Sequence, residues 1–402
     1  MLRLVAPAGA PVKSAELLRE LGQVVLRGQD DVRLREQLAA QLQMRHIFGV
    51  SSGRAALWLI LKVLARLRPE RDIVAFPAYT CYSVAAAIAR SGLKMCPVEM
   101  DPESLDFNFT TVESLPARKL LCLVTGNLFG FVSDVERLER VARGKGAFLV
   151  DDAAQAFGAS RNGRQAGTAG DVGFYSLAGG KALGSVQGGL IVTNSDAIAG
   201  AIREEVERLG APRFSDTIRV FGKTTAYAVF LQPRLFWIPW SLPFLKLGKT
   251  EFEPGFPVSQ FPRLTGRLLR GMESMVGSAN GARRANAADL AEHLATNRRF
   301  RVPQPAADCR ASYIRFPVLA PDSVTRQQAV ERLQKAGIGA TSFYPSAICD
   351  IAGIERYMAS REFHCPGAEE ISRRLFTLPT HAYVGRREIA RMAAVLRECG
   401  EE

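Results

Sequence analysis

The sequence predicts an α/β fold, with a doubly wound large domain built on a mostly parallel sheet and a smaller α+β domain behind it. Three observations lead there. Over the first half, short apolar runs alternate with segments of helical spacing, the pattern of successive βαβ units. The length of 402 residues favours two cores over one. After Arg284 the pattern changes to a helix, a strand and further helices in close succession. The expected organisation is a large domain over 1–209, an irregular apolar and aromatic insert with a linking segment over 210–280, and a small domain over 281–402.

In chain order, the turn Ser51-Ser52-Gly53 opens a strongly apolar helix at Arg54–Leu67. Strands are expected at Asp72–Phe76, Lys94–Val98, Lys119–Val124, Ala147–Asp151, Val172–Leu177 and Gly189–Thr193, where apolar and β-branched residues cluster between turn residues. Ser83–Arg90 and Val135–Val141 carry helical spacing between them. From about Ile202 to Arg284 the pattern breaks down. Within that stretch, Ala226–Gly248 is aromatic and apolar, but Pro233, Pro239, Pro243 and Arg234 interrupt it, so it does not read as a membrane-spanning helix. Beyond it, Ala285–Ala295 and Val324–Ala336 read as helices, Ser312–Leu319 as a strand, and Ala368–Phe376 and Arg387–Cys399 as two final helices.

Composition narrows the class. Hydrophobic residues make up 47% and charged residues 23%, which argues for a folded globular chain over a disordered one. A formal net charge of +12 calls for an anionic partner (a phosphorylated substrate, an anionic membrane or nucleic acid) or else marks a solvated basic surface. No basic run is interleaved with aromatics, which argues against nucleic acid. The seven cysteines form no CxxC pair, and the four histidines form no HxH or HExxH arrangement; reduced thiols, a cytoplasmic location and no metal site are expected. The N-terminus lacks the unbroken apolar core of a signal peptide.

The chemistry begins at Lys181, in the Gly-rich turn of Phe174–Gly189. Gly179 and Gly180 let the backbone approach a ligand closely, and a partly desolvated lysine there has a lowered pKa and can condense with an aldehyde. Ser176, five residues earlier, could reach a phosphate on the same ligand. The bland alternative is a solvated loop lysine. Asp152 stands at the carboxyl end of a strand, where ligands of doubly wound sheets bind, and a carboxylate buried there needs a cation such as a protonated pyridine nitrogen. Its bland alternative is a helix N-cap. Ser51-Ser52-Gly53-Arg54 opens a helix whose free N–H groups favour a phosphate, or is simply a capped start. The three features together, in this order, point to pyridoxal phosphate.

These residues lie in stretches that resemble the DegT/StrS-type sugar aminotransferases, pyridoxal-phosphate enzymes of fold type I. The stretches are SSGRAAL (51–57), FPAYTCYS (76–83), VEMDPESLDF (98–107), LFG (128–130), VDDAAQAFGA (150–159), YSLAGGKALG (175–184) and QGGLIVTN (187–194), with GIGATSFYP (337–345) and LFTLPTHAYV (375–384) in the second domain. The resemblance implies a seven-stranded-type sheet and a site at a homodimer boundary. It makes Lys181 the Schiff-base lysine and Asp152 the partner of the pyridine nitrogen. Gln155 faces the phenolic oxygen, while Ser176 and the backbone at Gly53, Arg54 and Ala55 hold the phosphate. The residue covering the ring falls at Cys81, with Tyr82 beside it, and Tyr79, Arg263, Tyr344 and His381 are implied to face substrate.

The chain also departs from the family pattern. Arg54 stands where threonine is common, Gln187 replaces the acid of an EGG stretch, and Asn127 replaces a histidine. Phe261 takes the place of an asparagine that reaches the partner subunit's cofactor, leaving Arg263 as a substitute.

The activity implied is transfer of an amino group, from glutamate, to a carbonyl acceptor such as a nucleotide-linked keto-sugar. Aromatics alongside basic residues over 226–249 suggest an alternative, docking on an anionic membrane surface with a lipid-linked or long-chain carbonyl acceptor. Packing of this insert in a dimer interface or over the sheet is the bland reading. A regulatory protein that keeps the fold without turnover is a further alternative.

Overall fold

Seven strands form the central sheet: β1 (His46–Val50), β2 (Ile73–Pro77), β3 (Lys94–Val98), β4 (Leu120–Val124), β5 (Phe148–Asp152), β8 (Val172–Ser176) and β9 (Gly189–Thr193). The computed structural model describes residues 3–10, 31–182, 187–210, 214–245, 247, 250–262, 264–265, 269, 272–360 and 363–401. The strand order is β1-β9-β8-β5-β4-β2-β3. β2, β3, β4, β5 and β8 pair in parallel, whereas β9 runs antiparallel to both β8 and β1. Between β5 and β8, the short hairpin β6 (Ser160–Arg161) and β7 (Arg164–Gln165) is joined by β10 (Cys309–Arg310) from the second half of the chain.

The helices, in order, are α1 (Asp31–Leu42), α2 (Gly53–Leu67), α3 (Tyr82–Ser91), α4 (Phe109–Glu113), α5 (Val135–Gly144), α6 (Asp196–Arg208), α7 (Phe214–Phe230), α8 (Trp237–Trp240), α9 (Met272–Leu294), α10 (Ser323–Lys335), α11 (Pro366–Arg374) and α12 (Arg386–Glu401). Helix α2 is apolar on most of its circumference because it is the innermost one. Leu59, Ile60, Val63 and Leu64 are buried in one cluster with Ala85, Ile88, Phe174 and Ile191. Truncating any of these four side chains to alanine removes roughly 2–5 kcal/mol for the larger residues. This core fixes the start of α2 against the sheet, where the site lies.

The second core is formed by the antiparallel pair β11 (Phe316–Leu319) and β12 (Leu375–Leu378) with α10 and α12. Helix α9 spans the boundary. Its Ala287, Leu290 and Leu294 belong to this second core, while Asn280 reaches the large domain at the carbonyl of Phe157.

Several expectations need correction. Residues 3–10, assigned to the large domain, meet both later segments: the N–H of Val5 donates to Gly337 O and that of Gly339 to Val5 O, while the N–H of Leu4 donates to Pro233 O and that of Ala10 to Tyr227 Oη. The insert expected to be irregular holds α7, a helix of 17 residues, because no proline lies between Phe214 and Gln232. His46–Val50, read as no element, is an edge strand, and Leu375–Leu378 is a strand where a helix was expected to continue to Phe376. A fully buried run of four apolar residues carries no periodicity that separates the two states. The strand expected over Ser312–Leu319 starts at Phe316, since Ser312 and Ile314 donate instead to the carbonyls of Gly130 and Phe129. Among the described residues, no helix is long and apolar enough to cross a membrane.

Candidate active site

β4, β5 and β8 are parallel and end at the same edge of the sheet, so Asn127, Asp152 and Ser176 converge there. Asp152 is the last residue of β5. Its Oδ1 accepts from the N–H of Ala154 at 2.8 Å, and among the described residues no donor engages Oδ2. Burial raises its pKa to about 7, opposed by the Ala154 N–H and by the charge of Lys181. Its neighbour has a different task. Asp151 is wholly buried; Oδ1 accepts from Thr125 Oγ1 and Asn127 Nδ2 at 2.9 and 2.8 Å, and Oδ2 from the N–H groups of Gly167 and Ala169 at 2.7 and 3.2 Å. Asn127 also donates to the carbonyl of Asp152 at 2.8 Å, so the residue standing in place of the family histidine braces the strand end from behind.

Lys181 follows a turn in which Gly180 adopts φ +83, a conformation glycine tolerates at no Cβ cost. The turn is held from two sides. The N–H of Gly180 donates to Tyr227 Oη at 3.2 Å, and the carbonyl of Lys181 accepts from Arg283 Nη2 at 3.2 Å. Lys181 is half-buried, and loss of hydration lowers its pKa; Cys81 and Asp152 oppose that shift and the positive Arg315 adds to it. A lysine that holds its proton less tightly than usual is the better nucleophile and base.

The third part is the start of α2. Ser52 caps it, accepting the N–H of Ala55 at 3.1 Å, so that donor is already taken. Among the described residues, the N–H groups of Gly53 and Arg54 have no acceptor, the usual state of a helix start. A Cβ on Gly53 would lie 2.7 Å from Ser176 Cβ, which is how closely the helix start and the Ser176 hydroxyl are pressed together. The Arg54 side chain turns away, to Glu253 at 3.8 Å and over the Phe256 ring at 4.5 Å.

Above Asp152, Gln155 takes the N–H of Phe129 on Oε1 at 3.2 Å and donates from Nε2 to Tyr344 Oη at 3.0 Å. Cys81 accepts from Ser83 Oγ at 3.0 Å. The Tyr82 hydroxyl instead meets Ser346 Oγ at 2.7 Å, tying the helix α3 start to the small domain.

Other expected substrate residues are placed differently. Tyr79 is fully buried, and its hydroxyl accepts the N–H of Tyr344 at 3.3 Å; it supports Tyr344 from beneath. His381 is also buried, with Nε2 2.8 Å from the carbonyl of Ala6 and Nδ1 accepting the N–H of Tyr383 at 3.3 Å. Burial lowers its pKa to about 4, so it is neutral with both nitrogens engaged inside the protein, and the expectation of a substrate contact does not hold. Arg263 lies outside the described residues. Phe261 packs over Gly49 and Gly188, 2.6 and 2.9 Å from where their Cβ atoms would stand. Gln187 is held through its carbonyl, which accepts from Thr265 Oγ1 at 2.8 Å.

Tyr227, Arg283 and Arg315 escaped the sequence reading. The first two lie in helices whose spacing says nothing of a distant loop. Arg315 did carry a signal, a lone charge inside the apolar run SYIRFPVL.

The donor set fits pyridoxal phosphate. Asp152 has an oxygen, Oδ2, that no donor among the described residues engages and that can meet a ring nitrogen, Lys181 an amine of lowered pKa for an aldehyde, and Gly53, Arg54 and Ser176 form a cradle for a phosphate.

Known proteins agree in fold and family. The chain is 30% identical over 190 residues to a pleiotropic regulatory protein of Geobacillus stearothermophilus, covering 46% of this chain and 50% of that one. It is 30% identical over 177 residues to a GDP-perosamine synthase of Vibrio cholerae, covering 44% and 48%. The chain thus spans about half the length of these two curated relatives. A longer match, 24% identical over 396 residues, covers 96% of this chain and 94% of a UDP-N-acetyl-3-dehydro-alpha-D-glucosamine 3-aminotransferase of Acidithiobacillus ferrooxidans. Among solved structures, a Helicobacter pylori aminotransferase involved in pseudoaminic acid biosynthesis superimposes with a TM-score of 0.80 at 15% identity, covering 99% of this chain and all 100% of that one, a likeness of fold alone. The model of the DegT/DnrJ/EryC1/StrS aminotransferase family matches residues 13–229 and 270–397, and the chain belongs to that family.

Proposed function

We propose that this protein is a pyridoxal-phosphate-dependent aminotransferase that moves an amino group from an amino acid, glutamate by family expectation, to a nucleotide-linked keto-sugar. The observation that carries the reading is the pairing of Asp152, whose Oδ2 no donor among the described residues engages, and Lys181, each shifting the other's proton affinity. The bound cofactor supplies an electron sink for charge developing at the donor α-carbon. Asp152 holds the proton on the ring nitrogen, and its raised pKa falls when that cation takes the place of lost water. Lys181 would hold the aldehyde of the bound cofactor, and its freed amine would serve as the base for the proton on the donor α-carbon. Gly53, Arg54 and Ser176 bind the phosphate, Gln155 hydrogen-bonds the phenolic oxygen, and Cys81, whose sulfur is near enough to influence Lys181, covers the ring. Named relatives that transaminate UDP-linked and dTDP-linked sugars support a nucleotide-linked acceptor, as does the net charge of +12. A homodimer in the cytoplasm is the expected setting.

The test is spectroscopic. Amino acids are screened for conversion of the bound aldehyde form to the amine form, and UDP-, dTDP- and GDP-linked keto-sugars are then tried for its reversal. Lys181→Ala is expected to lose the resting absorbance and all turnover. A Lys181→Ala protein with full activity overturns the reading.

One observation favours a second reading, in which the enzyme works at a membrane surface on a lipid-linked carbonyl. Phe244 is 74% exposed, and Trp237, Leu242, Leu245 and Leu247 are exposed beside it, near the exposed Arg234. Co-sedimentation with vesicles of phosphatidylglycerol at low salt tests this; Phe244→Ser with Trp237→Ser is expected to abolish binding, and absence of wild-type binding ends the idea.

A further inference from the structure

Two of the seven cysteines face each other. Cys349 lies in a tight 3-10 turn over Ile348–Asp350, and Cys365 stands at the start of α11; their sulfurs are 3.9 Å apart and share a hydrogen bond across 16 positions of sequence. Cys365 is buried, while Cys349 is half-buried and partly open to solvent. A buried thiol on its own packs as a small apolar residue. A pair differs, because one sulfur can donate its hydrogen to the other. The hydrogen bond from Cys365 favours the thiolate of Cys349 and lowers its pKa, against burial and the nearby carboxylates of Asp350 and Glu369. The same bond, with burial, raises the pKa of Cys365, so Cys349 ionises first. Cys96, a third thiol nearby, is buried and pushed up to about 11 by burial, and it keeps its proton.

The two sulfurs ride on segments held in different ways. The start of α11 is pinned beside the sheet: Glu99, which follows β3, accepts the N–H groups of Gly367 and Ala368, both at 3.0 Å. The turn of Cys349 is tied by one bond, from the N–H of Ile348 to Ala78 O at 2.8 Å. Just before it, the N–H of Ser346 donates to Tyr82 Oη at 3.1 Å, and Tyr344 accepts from Gln155 Nε2 at 3.0 Å. Bonds to a carboxylate outweigh a neutral one, so a force drawing the sulfurs together moves the turn and not the helix start. That movement passes along the chain to Tyr344, at the edge of the candidate active site.

We propose that Cys349 and Cys365 form a reversible oxidation site whose oxidant is a peroxide. The Cys349 thiolate attacks one peroxide oxygen; the S–O bond forms, the O–O bond breaks and hydroxide leaves, giving a sulfenic acid. The Cys365 sulfur then attacks that of Cys349; the S–S bond forms, the S–O bond breaks, and the departing hydroxide takes the Cys365 proton as water. Two thiols and one peroxide thus yield one disulfide and two waters. A dithiol reductant reverses the change and is itself oxidised to a disulfide. In the oxidised form the turn is fastened to α11, and Tyr344 is drawn from Gln155.

The test treats the cofactor-loaded protein with hydrogen peroxide at neutral pH, alkylates the remaining thiols and maps the peptides by mass. Wild type is expected to lose two of its seven free thiols and to give one cross-link, Cys349 to Cys365, that dithiothreitol removes. In Cys365→Ser the attacking sulfur is gone, so the sulfenic acid at Cys349 should persist and be trapped by dimedone. Cys349→Ser should give neither product, and Cys96→Ala should cross-link as wild type does. Both thiols alkylated after oxidation of wild type, or no dimedone adduct in Cys365→Ser, overturns the proposal. Titration with pyridoxal phosphate before and after oxidation reads the coupling to the site: affinity is expected to fall by roughly tenfold in wild type and to stay level in Cys349→Ser. No loss in wild type, or an equal loss in Cys349→Ser, removes the link to Tyr344. The titration rests on the cofactor reading of the site and the thiol map does not, so the two fail separately.

Discussion

The hydroxyl of Tyr227, on α7, accepts the N–H of Gly180 at 3.2 Å, one residue before Lys181, and the N–H of Ala10 at 3.0 Å. A helix from the segment expected to be an irregular insert therefore sets the loop that carries the reactive amine. Tyr227→Phe leaves both N–H groups without their acceptor inside the protein. The expected result is a stability loss of about 1–3 kcal/mol together with a cofactor affinity lower by roughly tenfold, read by thermal melting and by absorbance titration. A variant that melts earlier but binds cofactor as tightly as wild type would confine Tyr227 to stability.

Asp152 makes stability depend on pH in a definite direction. Its carboxyl is raised from the usual value near 4 to about 7 in the folded protein. Between those values the folded state holds a proton that the unfolded chain has released, so this group's contribution is fully present below about pH 4 and is lost as pH rises towards 7. The cofactor-free protein is thus expected to lose melting temperature between pH 5 and pH 8 by more than Asp152→Asn, which has no carboxyl to titrate. Bound cofactor, by offering a cation to Asp152, should remove most of the difference. Equal pH slopes in wild type and Asp152→Asn would show that the carboxylate is not strained by burial.

The legible parts of the molecule were those in which local chemistry and position coincide. Lys181, Asp152 and Ser176 each stand at a strand end or tight turn, where glycines and breaks in apolar runs mark the place in the sequence, and the structure brings all three to one edge of the sheet. The positions of Tyr79 and His381 were less readable. Both are polar aromatic residues in stretches resembling a family, yet whether such a side chain looks outward or inward depends on partners far along the chain, Tyr344 for the one and Ala6 for the other. Tyr227 and Arg283 were invisible for the same reason: each acts on the Lys181 loop across a sequence separation that no periodicity encodes. The alternative N-cap reading of Asp152 also has a counterpart in the structure, since Oδ1 does take a backbone N–H two residues on.

The phosphate cradle depends on close approach of α2 to β8. Ser176→Ala removes one hydroxyl and is expected to weaken cofactor binding by roughly tenfold. Gly53→Ala should do more harm, because the added Cβ would meet Ser176 Cβ at 2.7 Å and Ser176 Cα at 3.2 Å, and one of these is backbone. Moving the helix start also moves the free N–H groups of Gly53 and Arg54, so the loss should exceed that of Ser176→Ala and should not be additive with it. Titration of the two single variants and the double variant with cofactor, with inorganic phosphate as competitor, checks the ordering. A Gly53→Ala protein that binds as well as wild type would show that the helix start is not the anion site.

Asp151 and Asp152 are adjacent carboxylates with opposite fates, and substitution should separate them. Every oxygen of Asp151 is engaged, by Thr125 and Asn127 on one side and by Gly167 and Ala169 on the other, so it joins two loops behind the sheet edge. Asp151→Ala leaves those buried donors unpaired, and a stability loss of about 3–5 kcal/mol is expected, measured by denaturant unfolding. Asp152→Ala removes a carboxylate that holds one N–H and awaits a cation, so the unfolding midpoint should move little, whereas the half-reaction with an amino acid should slow on the order of 100-fold or more. The reverse outcome, a stable Asp151→Ala and a collapsed Asp152→Ala, would exchange their assignments and take the ring-nitrogen contact with it.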